Sequence, residues 1–232
     1  MSPRVALTAT ALAVTASLFA PATANAERWA GGDAEGDVAG WFVEPEPAPC
    51  GTATAVDASA NTNDDITRLV VSHQRKVVRV VVRFRDLDPQ QGQHVGIHLT
   101  AGRPEWLLDV RRFRDFDSDI FQVSSFLGRE PAEPDDGSDG CGEVVIVPTG
   151  CHVRPRIDLS ANTISAEVPR SCLRHPRWVR VGARTSGGGA PAPSEGARLV
   201  YADDWGPGAG SGWHPAYGPK VRAPRGARLG PR

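Results

Sequence analysis

The stretch CHVRPRIDLSANTISAEVPRSC, residues 151–172, begins and ends on cysteine and alternates between apolar and polar residues. A period of two is typical of half-buried antiparallel strands, and the polar centre predicts a hairpin that turns at Ala161–Asn162. Partners counted outward from that turn place Leu159 opposite Ile164 and Cys151 opposite Cys172. The Cα atoms of such a non-hydrogen-bonded pair are about 4.5 Å apart, which a disulfide can span. The stretch therefore predicts a disulfide-closed hairpin.

The two faces of this hairpin differ in polarity. The face expected to cover a core carries Cys151, Val153, Ile157, Leu159, Ile164, Ala166, Val168 and Cys172. The other face is polar. Pro155 interrupts the first strand and predicts an edge position or a bulge there.

The N-terminus predicts export. Residues 1–26 contain a basic start at Arg4, an apolar run over Val5–Ala20, and Ala24-Asn25-Ala26 before Glu27, which together are typical of a secretory signal peptide cleaved after Ala26. No later stretch approaches the roughly 18 apolar residues of a transmembrane helix. We therefore expect a secreted, extracellular protein without a membrane span.

The cysteine count fits that compartment, because four cysteines in an exported chain predict two disulfides. Pairing Cys151 with Cys172 leaves Cys50 with Cys141. The alternative, Cys141 with Cys151 across CGEVVIVPTGC and Cys50 with Cys172, stays open from the sequence alone.

The rest of the sequence predicts short strands separated by turn residues, and no segment has the pattern of a helix. Besides the hairpin, strands are predicted at Thr67–His73, Lys76–Arg85, His94–Thr100, Glu105–Arg111, Ile120–Leu127, Glu143–Val147, Arg177–Arg184 and Ala197–Ala202, with SGGGAPAPSEG as a loop before the last. About nine short strands predict an all-β fold, a single antiparallel β-sandwich of the jelly-roll or Ig-like type. The expected organisation is a signal peptide (1–26), an extended N-terminal segment (27–63), the sandwich domain (64–205) and a disordered tail (206–232).

The predicted tail is Gly/Pro-rich and basic. The sequence after Asp204 contains no acidic residue and five basic ones: Lys220, Arg222, Arg225, Arg228 and Arg232. Setting those five and Arg4 aside leaves 20 basic residues against 27 acidic ones, so the body has a formal charge of about −7. This balance argues against a nucleic-acid binder. We expect a monomer whose tail associates with anionic cell-wall polymer.

Two segments together resemble a group of uncharacterised secreted actinobacterial β-sandwich proteins of unknown function. The segments are DDITRLVVSHQRKVVRVVVRFRDL and ISAEVPRSCLRHPRWVRVGA, and the matching positions are Asp64, Asp65, Val71, His73, Arg85–Leu87 and Val168–Leu173. The resemblance covers about half of the mature chain. It implies export and a single β-sandwich, but it carries no known activity, so no functional residue can be transferred.

RDFDSDIF contains the sharpest polar cluster of the sequence. Asp115, Asp117 and Asp119 alternate, so an extended loop would place three carboxylates on one side. Calcium prefers several such hard oxygen ligands, and these residues are the candidate metal site. The alternative is a solvated acidic turn, because the closing glutamate and the glycine of a twelve-residue calcium loop are absent. No other cofactor is expected.

No catalytic motif appears in the sequence. We expect a non-catalytic extracellular binding or structural protein, with polysaccharide or cell-wall polymer as its partner. Tryptophans support this interpretation, because aromatic rings stack on sugars. Trp106 and Trp178 are expected in the core, whereas Trp205 and Trp213, in Gly-rich sequence, are expected to be exposed at the surface. The alternative is a secreted carbohydrate-active hydrolase, for which Asp109, Asp115 and Glu143 would have to converge at about 5–10 Å.

Overall fold

The computed structural model describes residues 26–44, 52–115, 117–129, 146–191, 198–206 and 215–224. The strands in these ranges are β1 (Glu27–Gly32), β2 (Ala39–Glu44), β3 (Thr52–Asp57), β4 (Ile66–His73), β5 (Val77–Phe84), β6 (Gln93–Thr100), β7 (Glu105–Arg114), β8 (Phe121–Arg129), β9 (Val147–Pro148), β10 (Arg156–Asp158), β11 (Thr163–Pro169), β12 (Trp178–Pro191), β13 (Arg198–Asp204) and β14 (Val221–Arg222).

All strand pairings among the described residues are antiparallel, which confirms the all-β prediction. The described residues form fourteen strands, where about nine were predicted for the chain. The described ranges contain no helix, hence none that is long and apolar enough to cross a membrane. The strands form two sheets.

The smaller sheet has the order β1-β4-β5-β11-β10. Its centre is the predicted β4–β5 hairpin, in which Val71 lies opposite Val80. Buried valines alternate with exposed arginines along β5, because one face of this strand covers the core and the other faces water. β11 pairs with the other edge of β5 and places Ile164 opposite Val82.

The larger sheet has the order β3-β2-β13-β12-β6-β7-β8-β9, and β14 pairs with β12 at its start. The predicted hairpin of β6 and β7 is present, with Ile97 opposite Leu108. β12 runs on to Pro191, through much of the predicted loop that starts at Ser186, because it pairs there with β13. A register shift between Gly188 and Pro191 absorbs the irregular Gly-rich sequence.

The inward faces of both sheets contribute to one apolar core. Its fully buried members include Leu69, Val71, Val80 and Val82 from the smaller sheet and Val95, Ile97, Leu108 and Val181 from the larger one. Trp106 belongs to this core, as expected. Trp205 was expected near the surface, but it is only 6 % exposed and packs edge-to-face on Trp29 with ring centroids 5.0 Å apart.

The disulfide between Cys151 and Cys172 is present, with Cα atoms 6.1 Å apart. The predicted register is wrong by two residues, because Ile157, not Leu159, lies opposite Ile164. The turn is shifted because Asp158 accepts hydrogen bonds from Ser160 Oγ and the Ala161 amide, and Asn162 adopts a φ of 52°. A shift of two keeps each side chain on its face, so the predicted buried face is retained. Cys50 and Cys141 lie outside the described residues.

The N-terminal segment does not stand apart from the domain. β1 pairs with β4, whereas β2 pairs with β13 and β3 with β2, so residues predicted as an extended segment over 27–63 supply strands to both sheets. The predicted boundary at residue 64 is therefore wrong.

The prediction of a disordered tail over 206–232 is also wrong for 215–224. Val221 in β14 is buried, and its carbonyl accepts a hydrogen bond from His73 Nδ1 at 3.0 Å. Gly218 donates its amide to the Val181 carbonyl, and Tyr217 donates its hydroxyl to Glu105. This segment packs against Gly182, where a side chain would collide with Ala216, so a glycine in β12 makes room for it.

Candidate functional site

A polar cleft of about 460 Å³ opens on the outer face of the larger sheet. Its walls are formed by Asn63, Asp64, Gln91, Gly92, Gln93, His94, Arg111, Arg112, Phe113, Ser186, Gly187 and Gly188. These residues come from the loop before β4, the loop before β6, and the strands β6, β7 and β12. The cleft thus lies where two loops meet three neighbouring strands of the larger sheet.

Three side chains at this cleft form a continuous hydrogen-bonded chain. His94 Nε2 is 2.6 Å from Asp109 Oδ2, and Ser186 Oγ is 2.5 Å from His94 Nδ1. A carboxylate only accepts, so Nε2 carries the imidazole proton, and Nδ1 of the neutral ring accepts the proton of the serine hydroxyl. The arrangement has the order of a nucleophile, a base and a carboxylate that orients the base.

The sheet register explains why these three residues meet. β12, β6 and β7 are neighbours, and Arg184 lies opposite Gly96, which lies opposite Asp109. Extending the β12–β6 register by two positions from this pair brings Ser186 opposite His94. Side chains directly or diagonally opposite on one face of a sheet are within contact distance.

Asp109 is held in its charged form. Burial alone would raise its pKa, but hydrogen bonds from His94 and Arg111 hold the pKa of Asp109 below its usual value. Arg111 Nε lies 2.8 Å from Asp109 Oδ1. The carboxylate therefore keeps its orienting contact with the imidazole over the neutral pH range.

Asp64 forms a buried part of the cleft wall. Its Oδ2 accepts a hydrogen bond from Asn61 Nδ2 at 2.8 Å, whereas its buried Oδ1 has no hydrogen-bond partner. Burial raises the pKa of this carboxyl, and the hydrogen bond from Asn61 and the nearby His94 lower it in part. A Cβ on Gly187 would overlap this carboxylate, so the glycine is what lets Asp64 approach β12.

Two exposed phenylalanines lie on the same outer face. Phe113 is 43 % exposed and lines the cleft; Phe126 is 38 % exposed and lies directly opposite Asp109 in β8. Phe113 shares its face with Asp109 because residues two apart on a strand point the same way. The outer face thus combines two aromatic rings with a row of polar groups.

Arg112 lines the cleft, but its guanidinium is engaged by backbone carbonyls and by an aromatic ring. Its guanidinium donates hydrogen bonds to the carbonyls of Asp88, Pro89 and Gln91, and it stacks 3.7 Å from the ring centroid of Phe121. Desolvation lowers the pKa of this arginine. The contacts fix the loop before β6, which carries one wall of the cleft.

The predicted calcium residues lie in the loop between β7 and β8, away from the cleft walls. Asp115 accepts hydrogen bonds from the Asp117 amide, Ser118 Oγ and Gln122 Nε2, and Asp119 pairs with Arg114 at 2.6 Å. These contacts are those of a solvated acidic turn. Calcium binding by Asp115, Asp117 and Asp119 stays a prediction.

Sequence reasoning missed two members of the hydrogen-bonded chain. The sequence predicts a loop at Ser186, and it predicts only a strand at His94, without a functional role for the side chain. Asp109 was named as a hydrolase acid, but its proposed partner Glu143 lies outside the described residues. The predicted β6–β7 hairpin already placed His94 and Asp109 on the same face of the sheet. This shared face was the feature of the sequence from which their contact could have been predicted.

Comparison with known proteins identifies no relative: no family model, no curated protein and no solved structure matches this chain.

Proposed function

We propose that this protein is an exported β-sandwich module that binds a polysaccharide on the outer face of its larger sheet. The observation that carries the proposal is the pair of exposed rings, Phe113 and Phe126, beside the polar groups of Asp109, Arg111 and His94. Aromatic rings stack on the apolar faces of sugars, while carboxylates, arginines and imidazoles bond the hydroxyls. Export is supported by the N-terminal sequence and is compatible with the disulfide.

The test is co-sedimentation of the mature protein with insoluble peptidoglycan, chitin and cellulose. We expect one of these to retain the protein, and the double variant Phe113→Ala/Phe126→Ala to bind about ten-fold or more weakly, since each lost stacking contact costs about 0.5–1.5 kcal/mol. Val123→Ala is the matched control: Val123 is 49 % exposed but lies on the other face of β8. Retention that is equal in the double variant and the control would contradict the proposal, as would no retention at all.

A second candidate, a serine-type hydrolase, is supported by the Ser186–His94–Asp109 chain. Ser186 Oγ would attack an ester carbonyl while its proton passes to His94 Nδ1, and the tetrahedral intermediate would collapse as that proton is returned to the leaving alkoxide. Water, deprotonated by the same imidazole, would then hydrolyse the acyl-serine and release the acid. Gly188, two residues after the serine, is exposed, and apart from its chain neighbours no atom lies within 4 Å of where its Cβ would be, so the backbone there is open to a substrate.

Activated nitrophenyl esters and a fluorophosphonate probe distinguish the two candidates. A hydrolase requires turnover and labelling that disappear in Ser186→Ala and persist in Ser124→Ala, a serine in the neighbouring strand β8 opposite Arg111. If neither turnover nor labelling exceeds the level of Ser186→Ala, the hydrogen-bonded chain is a cross-strand polar contact and the hydrolase candidate is excluded.

A further inference from the structure

A second group of acids lies away from the cleft, where the N-terminal segment meets both sheets. Asp37, Asp65 and Asp203 each contribute a carboxylate oxygen, and these three oxygens lie within 4.8 Å of one another. Asp37 is in the loop between β1 and β2, Asp65 directly precedes β4 of the smaller sheet, and Asp203 is in β13 of the larger sheet. Asp37 lies 28 positions before Asp65 in the sequence, and Asp203 lies 138 positions after it, yet the three carboxylates converge on one point.

The group is buried on two sides and open on the third. Asp65 is 0 % exposed and Asp203 is 5 % exposed, whereas Asp37 is exposed. Buried carboxylates are costly unless hydrogen bonds or cations compensate them. The partners of each oxygen therefore decide what the group can bind.

Only part of that compensation is present. Asp65 Oδ2 accepts a hydrogen bond from the Gly36 amide at 2.7 Å and lies 3.1 Å from Arg85. Asp65 Oδ1 is buried without a hydrogen-bond partner. Asp203 Oδ2 accepts a hydrogen bond from the Ile66 amide at 2.6 Å, which joins the two sheets. A buried carboxylate oxygen without a donor, inside a group of carboxylates, is the condition that a bound cation relieves.

The backbone brings the exposed member into place. Gly36 adopts a φ of 80°, a conformation that side chains rarely tolerate, and its amide points at Asp65. A Cβ at this position would also lie 3.2 Å from the Arg85 guanidinium. The glycine turn therefore holds the loop against Asp65 and directs the next residue, Asp37, to the same point.

Electrostatics agree with this geometry. Burial is the main cause that raises the pKa of Asp203 to about 7; the hydrogen bond from the Ile66 amide lowers this pKa in part, and the neighbouring Asp37, Asp33 and Asp65 carboxylates raise it. Burial likewise raises the pKa of Asp33, whose Oδ2 accepts from the Gly206 amide, to about 6. Close carboxylates cannot all ionise without a countercharge.

We propose that Asp37, Asp65 and Asp203 bind one calcium ion, which fastens the β1–β2 loop to the start of β4 in the smaller sheet and the end of β13 in the larger one. The donor set consists of hard carboxylate oxygens, which calcium prefers, and contains none of the imidazole or thiolate ligands that favour zinc. The exposed side at Asp37 leaves room for the water ligands that complete a coordination number of six to eight. This inference is independent of the proposed polysaccharide surface, because no residue is shared.

The test is calcium binding to the mature, EDTA-treated protein, measured by thermal unfolding and by calorimetric titration. We expect the melting temperature to rise by about 5–10 °C at a calcium concentration on the order of 100 times the dissociation constant. Terbium is a second probe, since Trp205 follows the cluster by two residues and can sensitise its luminescence.

Three variants decide the site. Asp37→Asn and Asp203→Asn should each weaken calcium binding about ten-fold or more; the first changes an exposed residue and the second keeps the shape that accepts the Ile66 amide, so both should fold. Asp117→Asn, in the acidic loop after β7, is the matched control and should bind as the native protein does. The proposal is overturned if calcium causes no shift in the native protein, if the shift persists in Asp37→Asn, or if Asp117→Asn abolishes it.

Discussion

Two groups of three aspartates in the described part of the molecule differ in how they are assembled. Asp115, Asp117 and Asp119 are close in sequence and lie in one exposed loop, where Asp115 accepts hydrogen bonds from the Asp117 amide and Ser118 Oγ, and Asp119 pairs with Arg114. The hydrogen bond from the Asp117 amide lowers the pKa of Asp115, whereas burial raises the pKa of Asp203 to about 7. Local spacing thus gives exposed acids whose partners are neighbours in sequence, whereas convergence of distant segments gives the buried acids for which we propose a cation.

The largest expected difference between the two groups is in stability. Asp65→Ala should lower the free energy of unfolding in calcium by about 2–4 kcal/mol, because it removes the acceptor of the Gly36 amide, the ion-pair partner of Arg85 and a proposed metal ligand. Asp115→Ala should leave the urea midpoint nearly unchanged. Urea unfolding of both variants measures the difference. An equal loss of unfolding free energy in the two variants would show that the two groups of aspartates do not differ in their contribution to stability.

The next effect is the pH dependence of the metal-free protein. The pKa of Asp203 is about 7 when folded, above its ordinary value of 3.8, so its contribution to stability is fully present below about pH 4 and is lost as the pH rises through 7. Stability in EDTA should therefore fall from pH 5 to pH 8, with Asp33 adding to the decline through a pKa of about 6.

Asp203→Asn should reduce that decline and make the protein more stable than the native chain at pH 8 in EDTA, by roughly 1–2 kcal/mol. Asp115→Asn is the control. The pKa of Asp115 is lowered in the folded state, so its contribution is present above its unfolded pKa and is lost only as the pH falls below that range. A native protein with constant stability from pH 5 to pH 8 would show that the buried acids are already compensated.

The smallest effect is expected at the turn that positions Asp37. Gly36→Ala should cost about 1 kcal/mol for its left-handed backbone and should also weaken calcium binding. Gly102→Ala is matched to it: Gly102 has a φ of 112°, and its Cβ would meet no atom within 4 Å. The Gly102→Ala variant should lose a similar amount of stability without any change in calcium binding. An equal loss of calcium binding in both variants would show that the turn at Gly36 does not position a calcium ligand.

The same contrast explains how much of the molecule could be predicted. Hairpins such as β4–β5 and β6–β7 could be read from local alternation, and so could the Cys151–Cys172 bond, because their partners are close in sequence. The hairpin register was missed by two residues because the Asp158 side chain, which alternation does not take into account, sets the turn.

Pairing between distant segments could not be predicted. β1 and β2 lie in Gly- and Ala-rich sequence, in which apolar and polar residues alternate only weakly. These segments become strands mainly because they pair with β4 and β13. The calcium group depends on both of these pairings, so its members had no recognisable spacing. The hydrogen bonds that connect Ser186, His94 and Asp109 could not be predicted for a related reason. Ser186 becomes part of β12 only through pairing with β13, a strand that is distant in sequence from His94.

The central claim is tested most directly by locating a metal in the protein itself. A crystal of the mature chain soaked with terbium would give an anomalous peak at each lanthanide position. We predict a peak about 2.3–2.6 Å from carboxylate oxygens of Asp37, Asp65 and Asp203, the distance range of calcium ligands. A peak in the loop of Asp115, Asp117 and Asp119 alone, or no peak at the junction of the two sheets, would contradict the assignment.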